Sequence, residues 1–133
     1  MNNIIKKYIN CFQNLKADNI HKLLECLSED VTFIDPFNRI IGKENVGGML
    51  RVMFQKTQNP SFKVIYSLGD TKKKIIKWEF SCIAFKKEIR FFGLSEIEIR
   101  GNLIIKHEDF WDSGRNFYCK VPIIGKIFKK IHK

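Results

Sequence analysis

Residues 93–112 read GLSEIEIRGNLIIKHEDFWD, and the Gly101-Asn102 pair in the middle is a turn signal between two alternating arms. Side chains on a strand point to opposite faces in turn, so each arm sorts into two sets. In the first arm, Gly93, Ser95, Ile97 and Ile99 continue a face begun by Phe91, and Glu96, Glu98 and Arg100 oppose them. In the second, Ile105, His107, Asp109 and Trp111 share one face, and Ile104, Lys106, Glu108 and Phe110 share the other. The pattern predicts strands over 89–100 and 103–112, whose apolar face carries two ionisable groups, His107 and Asp109.

Upstream the same rule predicts strands over 62–68 and 74–85, with turns at Gly69-Asp70 and Lys86-Lys87. In 74–85, Ile76, Trp78, Phe80 and Cys82 form the inward set. Long sequential strands with short turns pair antiparallel. The first half of the chain is helical. Ile5, Tyr8, Phe12 and Leu15 repeat at helical spacing in 3–16. Asp18 is placed to cap a second helix carrying Ile20, Leu23, Leu24 and Leu27. Ser28–Asp30 reads as a polar break before a short strand, 31–35, that ends at Pro36. A third helix at about 43–57 places Val46, Met49, Leu50, Met53 and Phe54 on one face, and Asn59-Pro60 ends it. Helices first and a strand meander after make an α+β layout, with helices on one face of a curved sheet.

Composition bounds the function. The chain has 133 residues and 44% hydrophobic content with twelve phenylalanines, which fits one ordered domain over 1–133. No apolar run is long enough to span a bilayer, and the N-terminus lacks a signal-peptide core, so a cytoplasmic location is expected. Cys11, Cys26, Cys82 and Cys119 are single and widely spaced, without a zinc pattern. Neither a metal nor a cofactor is expected.

The net charge of +10 is uneven: residues 115–133 hold six lysines and arginines and no acid. In VPIIGKIFKKIHK, Pro122 can start a helix, with Ile123, Ile124, Ile127, Phe128 and Ile131 as an apolar stripe opposite the lysines. This basic amphipathic segment either packs over the body with a solvated face, the favoured reading, or makes weak contact with an anionic membrane. Nucleic-acid binding is disfavoured, because the remaining lysines are scattered and the aromatics alternate inward.

The stretches LSEDVTFIDPFNRIIG (27–42), GLSEIEIRGNLIIKHEDFWD (93–112) and FYCKVPIIGKIFKKIHK (117–133), in that order, resemble the nuclear transport factor 2-like superfamily. More narrowly, they resemble its SnoaL-like and ketosteroid-isomerase-like bacterial branch. The resemblance implies a cone-shaped roll of three N-terminal helices packed on a strongly curved antiparallel sheet enclosing a pocket. It also implies a homodimer joined through the outer sheet face, where Ile83, Phe85, Phe92 and Leu94 would form an apolar patch.

At residue level, the isomerase general base is an aspartate in an Asp-Pro pair ending the first strand, which Asp35 matches. The tyrosine of the isomerase oxyanion hole falls, counting without gaps, on Cys11, with Tyr8 nearly one turn away. The protonated aspartate of that hole falls near Ser95. SnoaL-like cyclases place His and Asp on late strands in the pocket, which His107 and Asp109 resemble. Candidate catalytic residues are therefore Asp35, His107 and Asp109. Candidate ligand-binding residues are Tyr8, Cys11, Phe37, Trp78, Phe80, Phe91, Ser95 and Trp111.

Each has a plainer role as well. Asp35 can cap its own turn, His107 and Asp109 can satisfy each other, and the aromatics can be core. Two functions follow. One is acid/base catalysis on an apolar oxygenated ligand (polyketide, terpenoid or steroid-like), as in a cofactor-independent isomerase, cyclase or hydratase. The other is a non-catalytic carrier of a lipid-like molecule.

Overall fold

In the computed structural model, residues 4–112 are described. The expectations placed on 115–133 lie outside them. Helices α1 (Ile4–Gln13) and α2 (Ile20–Leu24) lead into β1 (Leu27–Ile34) and a short β2 (Arg39–Ile41). Helix α3 (Lys43–Lys56) follows, and then β3 (Gln58–Gly69), β4 (Lys73–Ala84), β5 (Lys87–Arg100) and β6 (Leu103–Phe110). The six strands form one sheet in the order β2-β1-β6-β5-β4-β3. The meander β3 to β6 is antiparallel, as its short turns require, but β1 lies parallel to β6. That pairing is allowed because α3 and four strands separate the two in sequence.

The core lies between the helices and the concave face. Ile5, Tyr8, Leu23, Val46 and Leu50 from the helices meet Val31, Phe33, Ile97 and Ile104 from the sheet. Removal of this apolar surface from water is the main stabilising term. The expected inward sets of β4 and β5 are buried, with Ile76, Trp78, Cys82, Phe91, Ser95 and Ile97 all below a tenth exposed.

Several expectations need correction. Asp18 is not a cap; α2 follows Asn19, whose side chain caps nothing in the helix. Its Oδ1 instead accepts the Lys16 amide at 2.7 Å, and its Nδ2 donates to the Asn14 carbonyl at 2.9 Å, closing the α1–α2 turn. Leu27 and Ser28–Asp30 belong to β1: Leu27 pairs with Ile104 of β6, and Ser28–Asp30 lie in the register shift before Thr32. Asn59-Pro60 does not end α3. The helix stops at Lys56, and Asn59 and Pro60 sit in β3 at a register shift. β3 is an edge strand, where a missing N–H is tolerated. The β4–β5 turn is made by Phe85 and Lys86, both at positive φ.

In β6, Ile104 is fully buried on the same side as His107. The pairing steps from Glu98↔Lys106 to Ile99↔Ile104, so Ile105 is an extra residue that resets the alternation.

The convex face exposes apolar side chains, including Ile83, Phe85, Phe92 and Leu94. No helix among the described residues is long and apolar enough to cross a membrane.

Candidate functional site

A cavity of about 770 Å³ opens between the helices and the concave sheet. Its wall is a continuous aromatic belt. Ring centroids run Tyr8–Phe12 at 5.0 Å, Phe12–Phe62 at 5.2 Å, Phe62–Phe80 at 4.8 Å and Phe80–Phe91 at 5.4 Å. Phe91 then stacks on Trp111 at 4.3 Å, and Trp111 meets the edge of Phe37 at 5.3 Å. Such offset and edge contacts add to the area they bury. Met49 and Met53, one turn apart on α3, complete the apolar lining.

Gly93 makes room for this wall. A Cβ there would lie 2.3 Å from Cη2 of Trp78, its register partner on β4. The indole can therefore lie flat across the strand only because residue 93 has no side chain.

A chain of hydrogen bonds crosses the cavity floor. Trp78 Nε1–H donates to Ser95 Oγ at 2.8 Å, and the Ser95 hydroxyl donates to Asp109 Oδ1. Asp109 Oδ1 also lies 2.6 Å from His107 Nε2, and His107 Nδ1 lies 2.7 Å from the Tyr8 hydroxyl. The tautomer follows from donor accounting. Burial, and next the charge of Asp109, raise the Tyr8 pKa well above its ordinary value, so the phenol keeps its proton. Among the described residues only His107 Nδ1 accepts it. His107 Nε2 therefore carries the ring's hydrogen and gives it to Asp109. Phe33 stacks on the imidazole at 4.5 Å and holds its plane.

Asp35 lines the same cavity from the end of β1. Its Oδ1 accepts the backbone amides of Phe37 at 2.8 Å and Asn38 at 2.7 Å, an Asx turn that shapes the Asp35–Asn38 loop. Its Oδ2 has one weak contact, Asn38 Nδ2 at 3.5 Å. Burial raises the Asp35 pKa, the loop hydrogen bonds oppose this, and the Asp109 charge adds to the rise. Two carboxylates thus share one apolar cavity. Arg39 and Lys56 also line it, but neither forms an ion pair among the described residues.

Of the expected site residues, Asp35, His107, Asp109, Tyr8, Phe37, Trp78, Phe80, Phe91, Ser95 and Trp111 all line this cavity. Cys11 does not; it turns toward Cys26, whose thiol burial pushes up to about 12. The correction has a simple cause. Cys11 is offset from Tyr8 by about 60° around the helix, and Tyr8 is the one that reaches His107. Phe12 and Phe33 belong to the site although they were expected only as helix stripe and strand core. Their position at i+4 from Tyr8 and i−2 from Asp35 was the available signal. Among the described residues no three His, Cys, Asp or Glu side chains group as metal ligands.

The family model of the SnoaL-like domain matches residues 5–107. The chain belongs to the SnoaL-like domain family. It has the α+β roll of the nuclear transport factor 2-like superfamily, and solved structures with that fold resemble it at low identity. One is a hypothetical protein with a ketosteroid isomerase-like fold from Catenulispora acidiphila, solved with trimethylamine. It is 13% identical over 85% of this chain and 88% of the other, with a TM-score of 0.75. A second is an LEH-like epoxide hydrolase from M. tuberculosis, 18% identical over 87% and 81%, with a TM-score of 0.72. A third is a putative polyketide cyclase from Xanthomonas campestris pv. campestris, 12% identical over 84% and 90%, with a TM-score of 0.71. Sequence comparison with curated proteins finds no match.

Proposed function

We propose that this SnoaL-like protein is a cofactor-independent acid/base enzyme acting on an apolar oxygenated molecule held in the aromatic cavity. The observation that carries the proposal is the pair of carboxylates. Asp109 is pinned through Oδ1 by Ser95 and His107, which leaves Oδ2 open as a proton acceptor. Asp35 faces the same space with its pKa raised, which suits it to return a proton. His107 orients Asp109 and is in turn held by Tyr8.

A cyclase- or hydratase-like reaction suits this arrangement better than ketosteroid-type isomerisation. The latter needs free donors on a developing oxyanion, whereas the Tyr8 proton goes to His107 and the Ser95 proton to Asp109. The polyketide cyclase and epoxide hydrolase among the structural neighbours agree with that preference.

The second reading is a carrier without chemistry. It is favoured by the complete internal satisfaction of His107 and by the loop-shaping role of Asp35 Oδ1. Native mass spectrometry of wild type and Asp109→Asn, each purified without denaturation, separates the two. An enzyme co-purifies with product in one case and accumulated substrate in the other. The same molecule in both identifies a carrier. Gly48→Phe is the control. A Cβ at Gly48 meets nothing within 4 Å, and the residue lines the cavity, so the added ring has space to enter it.

A homodimer formed through the convex apolar face is part of this proposal. Weak contact of residues 115–133 with anionic lipid is the alternative to their packing over the body, and equal liposome flotation with and without that segment would exclude it.

A further inference from the structure

We infer that the polar group recognised in the cavity is a hydrogen-bond donor, a hydroxyl on an apolar skeleton, and not a carbonyl. The inference rests on the pocket reading above and narrows its substrate class.

The buried donors on the cavity floor are the Tyr8 hydroxyl, the His107 Nε2–H, the Ser95 hydroxyl and the Trp78 Nε1–H. Each is engaged by a protein acceptor. At the side, Thr57 Oγ1 donates to the Met53 carbonyl at 2.7 Å, and Asn45 Nδ2 to the Ile41 carbonyl at 2.8 Å. Side-chain donors not engaged in this way are those of Arg39 and Lys56, which are exposed, and of Trp111, which is partly buried in the wall against Phe91.

The acceptors are the opposite case. Asp109 Oδ2 has no partner among the described residues, and Asp35 Oδ2 has only the 3.5 Å contact. At Asp109 the floor therefore offers a ligand an open acceptor and no free donor. A ligand hydroxyl completes the valence of Asp109 with a charge-assisted bond. A carbonyl placed there sets two acceptors against each other and leaves Asp109 Oδ2 without a donor. A polar site built to bind one partner rejects the analogue that cannot make the bond.

The test is titration of the full chain with decalol and decalone, an alcohol and ketone on one fused-ring skeleton, followed by NMR. Wild type binds the alcohol tighter by about tenfold or more, the scale of one hydrogen bond to a charged group. In Asp109→Asn, Ser95 and His107 keep the amide oxygen on their side, so Nδ2 replaces the free oxygen and the preference inverts toward the ketone. Asp35→Asn retains the alcohol preference. Equal or tighter ketone binding by wild type overturns the inference and leaves the apolar pocket standing. Binding of neither probe overturns the pocket reading on which it rests. The wild-type comparison decides even if Asp109→Asn does not fold.

Discussion

Ser95 and Asp109 face each other across β5 and β6, and the serine hydroxyl donates to the carboxylate oxygen that also receives His107. One cross-strand register thus fixes which oxygen of Asp109 is tied down and which looks into the cavity.

The other end of the same chain of bonds gives the first prediction. Tyr8→Phe removes the 2.7 Å bond to His107 and leaves a buried ring nitrogen without a partner. The expected loss is about 1–3 kcal/mol in a urea unfolding series. An unchanged midpoint and slope would show that Tyr8 contributes packing alone.

Gly93 is a packing prediction. Gly93→Ala places a methyl 2.3 Å from the Trp78 ring, and both flanking strands are fixed by pairing. Displacing the indole also strains its 2.8 Å bond to Ser95. The variant is expected to lose about 1–3 kcal/mol, as overpacked cores do, with a shift in tryptophan fluorescence. Full retention of stability would mean that the ring has room to move.

Asp35 sets a pH dependence. Its folded pKa is raised above the ordinary 3.8, so the folded state holds the proton more tightly than the unfolded chain. The contribution of this group to stability is complete below 3.8 and is lost as pH rises through the folded value. Asp35→Asn cannot titrate but keeps the turn-forming oxygen. Its stability relative to wild type should therefore improve on going from pH below 3.8 toward neutral. A constant difference across that range would contradict the raised pKa.

The convex face supplies a prediction about assembly. Phe92 is 54% exposed, in the middle of β5, with Leu94 two residues along on the same face. Phe92→Glu should convert a dimer to a monomer in light scattering after size exclusion, without lowering monomer stability. A wild-type monomer at the same concentration would remove the dimer from the account.

Much of this arrangement was legible in the alternation of the later strands. Trp78, Phe91, Ser95 and His107 were assigned to the inner face because period two survives wherever one face is buried. Alternation also places Asp35 on the same face as Val31 and Phe33, the cavity side of β1. It failed where the backbone adds a residue: Ile105 resets β6, so Ile104 was assigned to the wrong face. Local signals failed where tertiary pairing decides. Ser28–Asp30 reads as a break yet lies within β1, at the register shift between its two stretches paired with β6, and Asn59-Pro60 reads as a helix stop yet sits on a sheet edge. Counting without gaps pointed to Cys11, whereas helix geometry chose Tyr8. The hydrogen-bonded chain from Tyr8 to Trp78 was out of reach of any local pattern, because 99 residues separate Tyr8 from His107.

The account depends most on where the His107 proton lies, since that assignment makes Asp109 Oδ2 the open group on the floor. Long-range nitrogen–proton NMR of histidine-labelled protein at neutral pH measures it directly. The expected result for His107 is a neutral ring with the proton on Nε2 and a bare, hydrogen-bonded Nδ1. A proton on Nδ1, in either the neutral or the doubly protonated ring, would contradict the account, because the Tyr8 hydroxyl would then be free to donate to a ligand.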